Sequence, residues 1–453
     1  MSDFSALHVA LSGLRAAQLG MNTASHNVAN AGTPGFTRQR VDLVARLPRI
    51  TPQGAVGLGV ETRDISRIRD GFLDARVRAS VASLGALEVR AGILGRAEQL
   101  MGEPESGISS ELDALWSAFE DAALDPAAAA PRIAVLQRLD AVAGRVTAVA
   151  AGLDALADDA AVTLEAVLEE VNRALEEVAT LNGAILDAPT VAGSPNDLMD
   201  RRDLLVDRLA TLVGATAAVA DDGSIRVSLG GISLVAGAIA RPLELDRSTG
   251  QVLHPSGVAV VPGGEARGYQ LALTEDLPGL RADLDAFAVD LATALNTIHA
   301  SGFSNSGPGG PLLSFDPGDP SGSLRRALAD PAAFATAATA GPPFPAFDAS
   351  VPGRLAALRT EPVAAGGSLA DVVRSMVAGL GQETASARMA AATQAGLTEA
   401  AETSRSAVHG VSIDEEMVDL MEFQRMYEAA ARVITAVDEA LDTLINRMGV
   451  VGR

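Results

Sequence analysis

Apolar side chains recur at alternating steps of four and three residues in two places, and those places are the opposite ends of the chain. Near the N-terminus Leu7, Leu11, Leu14, Met21 and Val28 fall on one line, with Gln18 and Ser25 completing it. Near the C-terminus Met417, Leu420, Gln424, Tyr427, Ala431, Ile434, Leu441, Ile445 and Met448 do the same. A heptad spacing of this kind puts each set on one face of an α-helix. Two thin helices without a third layer are marginal, so the stripes predict a seam by which the ends pair with each other and dock onto neighbouring subunits. Small residues on the outer faces, among them Ala10, Ala16, Ala17, Ala24, Ala429, Ala430 and Ala440, would let further helices approach closely. Gln18 and Gln424 put amides where the stripes otherwise carry large apolar groups. Either they are buried and fix register, or they face solvent at the stripe's edge.

The 453 residues between and including these ends suggest about three domains, and the middle is not uniform. A turn at Gly32-Thr33-Pro34-Gly35 should end the first helix around Asn27 to Asn30. An extended arm follows through Phe36, Val41, Ile50 and Val60. Helical periodicity returns from about Arg69 to Met101, Ser110 to Ala123 and Ala127 to Asp187, where Leu164, Val167, Val171, Leu175, Val178 and Ile185 form the stripe. Asn196 is placed to cap a helix reaching Leu212, with Asp200, Arg201, Arg202 and Asp203 on its polar side. From Thr216 to Leu273 the period becomes two, as at Ile225, Val227 and Leu229, which predicts an inserted β region. Leu280 to His299 reads as helix, Ser301 to Pro362 as Gly- and Pro-rich loop with short strands, and two helices follow from Ser368 to Ala407 and from Ser412 to Arg447.

Composition removes several kinds of chemistry. A net charge of −22 lacks the basic footprint of a nucleic-acid binder. All 35 basic residues are arginine, so a P-loop lysine or a Schiff-base lysine is impossible. With 0 cysteines there is no disulfide, zinc ribbon or thiol nucleophile. His8, His26, His254, His299 and His409 are too scattered for a zinc motif, and no calcium loop, dinucleotide fingerprint or serine elbow is present. Carboxylates are plentiful, yet none is singled out as a catalytic pair. The reading is therefore no catalytic site, no metal and no cofactor. No stretch is apolar enough to insert in a membrane, and Met1-Ser2-Asp3-Phe4 does not open a Sec-type signal.

Certain exact residues go further. Ala10-Leu11-Ser12-Gly13-Leu14-Arg15-Ala16-Ala17, then Asn27-Val28-Ala29-Asn30, Thr33-Pro34-Gly35-Phe36 and Arg38-Gln39, resemble the N-terminal signature of bacterial flagellar axial proteins. Val411 to Met417, with Gln424, Tyr427 and Leu444-Ile445-Asn446, resembles their terminal helix. Within that group Thr33 to Arg40, Asn196 to Leu205 and Leu295 to Gly302 are similar to landmarks of the hook-associated protein 1 (FlgK) family, with Phe36 in place of the usual tyrosine. The motif residues carried over are Asn27, Asn30, Pro34, Gly35, Phe36, Arg38 and Gln39.

The resemblance implies a flagellar axial architecture: mainly α with an inserted β domain, and discontinuous helical-bundle and coiled-coil inner domains formed by both chain ends. Residues 1–60 with 408–453 would be the inner terminal domain. Residues 61–212, 275–300 and 363–407 would be a helical middle domain, and 213–274 with 301–362 an outer β-rich one. It implies a structural, non-enzymatic subunit of the zone between hook and filament, needed for filament attachment and exported by the flagellar type III apparatus. The implied partners are copies of itself, the hook protein, the second hook-filament junction protein and an export chaperone at the C-terminal helix. The rival readings are a hook or distal-rod protein, and an extracellular enzyme or adhesin with axial-protein ends.

Overall fold

The computed structural model describes residues 3–51, 54–102, 107–188, 194–340, 348–363 and 367–443. In chain order the elements are α1 (Asp3–Asn30), β1 (Gln39–Ala45), β2 (Arg49–Thr51), β3 (Gly54–Val56), β4 (Val60–Arg67), α2 (Gly71–Met101), α3 (Ile108–Leu124), α4 (Ala129–Asp187) and α5 (Asn196–Val213). Then come β5 (Thr216–Val219), β6 (Ile225–Leu229), β7 (Ile232–Ala236), β8 (Ile239–Ala240), β9 (Glu244–Asp246), β10 (Gln251–Leu253), β11 (Ala259–Val260) and α6 (Gly264–Leu271). A π-helical turn at Ala272–Asp276 leads into α7 (Leu277–Ala300), followed by β12 (Phe303–Ser304), β13 (Gly307–Pro308), β14 (Leu313–Ser314), β15 (Arg325–Arg326), α8 (Ser350–Ala357), α9 (Leu369–His409) and α10 (Ile413–Asp442). Helix dominates and the strands form small antiparallel sheets, the mainly α fold with inserted β structure that the sequence predicts.

The chain divides into two compact units. The first holds Met1–Ala82, Glu170–Pro242 and Gly396–Arg453, and the second holds Ser83–Glu169 and Leu243–Ala395. This grouping differs from the three-part expectation: β5–β8 belong with the two chain ends, whereas β9–β15 belong to the other unit.

In the first unit, β1 and β4 form an antiparallel ribbon with a bulge between Asp42 and Leu43, and α1 packs on it. Sheet β5-β6-β7-β8 turns Ile225, Val227 and Leu229 inward, a clean two-residue alternation. Asn182 of α4 bonds to it, donating to the carbonyls of Ile225 (2.8 Å) and Gly237 (2.9 Å) and accepting from the Ile225 N–H. In the second unit, Trp116, Phe119, Phe287 and Phe334 are fully buried, with the rings of Phe119 and Phe334 stacked at 6.4 Å. With aromatics at only 3% of the chain, this is where most large buried rings lie, among leucine, valine and alanine. Asn296 and His299, on the predicted landmark of α7, pin the loops beside it. Asn296 Oδ1 accepts from the N–H groups of Leu312 and Leu313. His299 donates from Nδ1 to the Gly310 carbonyl (2.6 Å) and accepts at Nε2 from the Ala335 N–H (2.8 Å).

Three expectations need correction. Gly264–Leu271, read as part of the β insertion, is helical, because Gly268 lets the helix come against Val89 and the Ala86 carbonyl without a side chain between them. Ser350–Ala357, read as loop, is a helix; Pro352 falls in its first turn, where a missing N–H costs nothing. Asn196 is the first residue of α5 and makes no capping bond, since its amide donates instead to the Ile65 carbonyl at 2.6 Å.

Candidate functional site

The two terminal helices lie antiparallel in close contact. Asn27 bonds to Glu416, Gly20 lies against Phe423 and Gly13 meets Ala430, so each step of seven back along α1 matches a step of seven forward along α10. The α1 side of this contact is a heptad line of small residues, Ala10, Gly13, Ala17, Gly20, Ala24 and Asn27. Ala17 has no exposed surface, and a Cβ added at Gly20 would run into the Phe423 ring. Small side chains let the helix axes approach, and the Phe423 ring of α10 fills the space over Gly20.

The predicted stripe of larger residues lies one position to the side. Leu7, Leu11, Leu14, Met21 and Val28 are half-buried and Gln18 is exposed. On α10, Leu420, Ile434 and Leu441 are half-buried, whereas Met417, Gln424 and Tyr427 are exposed. Ile445 and Met448 lie outside the described residues. Two predictions change accordingly. The Ala10, Ala17 and Ala24 face of α1 is taken up within the chain rather than left for other helices, while Ala429 and Ala440 do remain exposed. Neither Gln18 nor Gln424 is a buried register residue in the single chain.

Where α1 ends and α10 begins, the motif residues converge in a polar joint. Asn27 is 1% exposed and its amide acts as a piece of backbone: Nδ2 donates to the Gln39 carbonyl (2.8 Å) while Oδ1 accepts the Gln39 N–H (3.0 Å). The same Nδ2 reaches Glu416 Oε2 at 2.9 Å. Arg38 grips α10 with its whole guanidinium, through Nε to Glu416 (2.6 Å), Nη1 to Glu415 (2.6 Å) and Nη2 to Asp419 (3.3 Å). Burial works to lower the Arg38 guanidinium, but the bonds to Glu416 and Glu415 outweigh it and hold it above its ordinary value. Glu416 is itself 2% exposed, so this is a buried charge satisfied on both oxygens. Ser412 accepts the Glu415 N–H as the N-cap of α10, and Asp414, Glu415 and Glu416 occupy the first turn, where carboxylates suit the helix dipole.

The remaining motif residues close the turn. Asn30 Nδ2 donates to the His26 carbonyl (3.0 Å), and the Phe36 ring meets the His26 ring edge-on at 5.3 Å. Pro34 is exposed. Gly35 has φ +80°, a conformation that glycine takes without strain, and Leu204 lies 3.2 Å from where its Cβ would be. Gln39 bonds to Asp197 and Asn196 at the start of α5.

Behind this turn lies an ion cluster that the sequence reading placed wrongly. The sequence puts Asp200, Arg201, Arg202 and Asp203 on the polar side of a helix, whereas Asp200, Arg202 and Asp203 are buried and only Arg201 is exposed. Asp200 accepts the Thr37 N–H (3.0 Å) and Arg67 (2.8 Å), and Asp203 accepts Arg67 (2.7 Å) and Arg69. Arg69 also binds Asp74 of α2 at 2.8 Å, and Asp207 binds both Arg78 (2.6 Å) and Arg405 (2.8 Å). His409, at the end of α9, accepts the Asp70 N–H at 2.8 Å. Burial first, then the charges of Arg69 and Arg405, hold it below its ordinary value against the pull of Asp74. The signal for this cluster is the run Asp200-Arg201-Arg202-Asp203, since four successive charged residues spread over about 300° of a helix and cannot all lie on one solvated face. Among the described residues no group of acidic and histidine side chains is arranged to hold a metal ion, and no helix is long and apolar enough to cross a membrane. The site ties both chain ends to α2, α5 and α9 by bonds that need every segment in place.

Comparison with known proteins follows the same segments. Residues 7–37 match a family described as flagella basal body rod protein, 94–313 the flagellar hook-associated protein FlgK helical domain, and 407–448 the flagellar basal body rod FlgEFG protein C-terminal family. Flagellar hook-associated protein 1 of Escherichia coli is 26% identical over 322 positions, covering 68% of this chain and 59% of that protein. The solved structure of the flagellar hook junction protein FlgK from Burkholderia pseudomallei shares the fold, with a TM-score of 0.66 at 14% identity, covering 74% of this chain and 100% of that one. Flagellar hook-associated protein 1 of Bacillus subtilis is 30% identical over 512 positions, spanning 100% of both chains, and the chain therefore belongs to the flagellar hook-associated protein 1 family.

Proposed function

We propose that this chain is a structural, non-enzymatic subunit of the bacterial flagellum that forms the junction zone between hook and filament and is needed for filament attachment. The observation that carries the reading is the pairing of the two chain ends, each matched by axial-protein families, along a seam that uses small residues and leaves the larger apolar ones half-covered. Half-buried Leu7, Leu11, Leu14 and Met21 of α1 and exposed Met417 and Tyr427 of α10 are the apolar side chains by which such a pair would dock onto neighbouring copies. Contacts of that heterologous, non-closing kind generate helical assemblies. Residues 1–60 and 408–453 form the inner part of the subunit in this reading, and the β-rich segments 213–274 and 301–362 lie outermost. The neighbours are further copies of the chain, the hook protein on one side and the second junction protein on the other. An export chaperone holds the C-terminal helix before passage through the flagellar type III apparatus.

The test is localisation in a strain lacking its own hook-associated protein 1. Antibody-gold against the complementing chain should label a short band between hook and filament and restore filaments. Label along the whole hook or on the rod would assign the chain to the hook or distal-rod class instead. Murein hydrolysis by the purified chain would overturn the non-enzymatic reading.

A further inference from the structure

In the first unit the chain between β1 and β4 runs out as an arm, the hairpin β2–β3, in which Arg49 pairs with Val56 and Thr51 with Gly54. Residues 44–50 and 54–57 are all exposed, and Leu47 and Ile50 are 86% and 87% open to solvent. A hairpin of three-residue strands with no layer packed on it is marginal in water, and an apolar one with free edges is a template for association. Val44, Leu47, Ile50 and Val56 are also too closely grouped to be the singly scattered apolar residues of an ordinary surface. Together these features call for a covering partner.

The charge of the arm says what kind of partner. From Leu43 to Val60 there are two basic residues, Arg46 and Arg49, and no carboxylate, in a chain of net charge −22. Arg46 lies 3.5 Å from Glu61, whereas Arg49 enters no ion pair among the described residues. The same unit holds the opposite surface. Helix α10 carries nine carboxylates against two arginines. At its start Ile413, Met417 and Met421 stand at steps of four and are exposed, and in the adjoining row Asp414, Val418 and Glu422 repeat the step, exposed as well. Asp414 and Glu422 enter no ion pair among the described residues. An apolar, basic arm and an apolar, acidic helix face are complementary, but on one copy they lie apart. Gly59 at the base of the arm rests against Val9 and Ser12, and the Val60 N–H donates to Ser12 Oγ at 3.1 Å. The start of α10 instead meets α1 at Asn27, and Ser12 to Asn27 is about 22 Å along the helix.

We propose that the arm docks on the first turns of α10 of a second copy of this chain, with Leu47 and Ile50 covering the row of Ile413, Met417 and Met421 and Arg49 set among the carboxylates of Asp414 and Glu422. The two patches are different surfaces at separate places along α1, so the contact is heterologous and runs head to tail, the kind that builds rings or helical arrays rather than closed pairs. It rests on the reading of the chain as a self-assembling subunit and gives that assembly a direction.

The chain has 0 cysteines, so single ones can report the contact. Full-length Leu47→Cys chain is mixed under mild oxidation with Met417→Cys chain carrying a tag of different size and, in parallel, with tagged Leu124→Cys chain, whose site is 85% exposed. All three positions are on the surface, so the variants should fold. The mixed disulfide with Met417→Cys should form faster than that with Leu124→Cys, and a chain with both Leu47→Cys and Met417→Cys should give a ladder of oligomers. Arg49→Glu on the arm-donating copy should slow the reaction about threefold or more, and Glu422→Arg on the receiving copy should restore it. Equal rates at Met417 and Leu124 would overturn the proposal. If the natural chain then also floats with phosphatidylglycerol vesicles and Arg49→Glu does not, the arm belongs to an anionic membrane surface instead. Antibody-gold labelling separates this contact from the junction reading: label at the junction with unselective cross-linking removes the contact alone, and selective cross-linking with label elsewhere removes the junction alone.

Discussion

At the residue scale the fold depends on a few buried polar groups that replace missing backbone. Asn27 stands in for a strand partner of Gln39, and Asn296 and His299 do the same for the loops beside α7. The asparagines work only in one orientation of the amide, and the histidine only in one tautomer. His299 must be neutral, with its proton on Nδ1, because Nε2 faces the Ala335 N–H. Burial is the main cause that holds it below its ordinary value, opposed by the bond to Gly310. A histidine depressed in the folded state takes up its proton more readily when unfolded. Its stabilising contribution is therefore complete above about pH 6.5, the unperturbed value, and is lost as pH falls through the lower folded value. His409 is depressed too and acts in the same sense, so the test is a difference between proteins. The melting temperature of the natural chain should fall on acidification below about pH 6.5, and His299→Gln should show a shallower fall. Equal slopes would remove His299 from the acid response.

At the element scale the lesson is how one helix can carry two stripes. The sequence of α1 presents Leu7, Leu11, Leu14, Gln18 and Met21 at heptad spacing and, beside them, Ala10, Gly13, Ala17, Gly20 and Ala24 at the same spacing. Reading by hydrophobicity selects the first. The chain pairs its own ends through the second, because Phe423 needs a partner without a side chain. Helix existence and most boundaries were legible because long periodic segments report themselves. The α1–α10 register was not, since it is fixed by close approach and by the Asn27–Glu416 bond, neither of which leaves a hydrophobic signal. The motif residues Asn27, Arg38 and Gln39 were legible by resemblance, whereas their bonds to Glu416, Asp197 and Asn196, and the pairing of Arg67 with Asp200 beside them, leave no signal in the sequence. Gly20→Ala tests the register directly. It should loosen the helix pair, at an overpacking cost of about 1–3 kcal/mol, and a second change, Phe423→Leu, should recover part of the loss. The readout is hydrogen exchange of α1 and α10 together with restoration of motility. Additive rather than compensating effects would mean that the two residues do not meet.

At the scale of the whole molecule the two ends and the second unit are held by different physics. The second unit is closed by Trp116, Phe119, Phe287 and Phe334 within a cluster of leucine, valine and alanine. The α1–α10 pair buries mostly alanine and glycine side chains, which contribute little apolar area, and leaves Met417, Met421 and Val433 exposed. Much of what it does bury is the charged joint at one end, where removing a partner costs more than the pair itself adds. Regions with few buried apolar contacts open at lower free energy than a core. The purified chain should therefore exchange amide hydrogens in α1 and α10 far faster than in α3 and α7, and a protease should trim the two ends together. In assembled junctions the same amides should become as slow as those of α3, because the half-covered stripe of Leu7, Leu11, Leu14 and Met21 is then buried by neighbours. The measurement is hydrogen exchange on the confirmed monomer and on junctions attached to isolated hooks. Ends as protected in the monomer as the Trp116 core would show that the intrachain seam suffices, and the idea that assembly completes the fold of the two ends would fail.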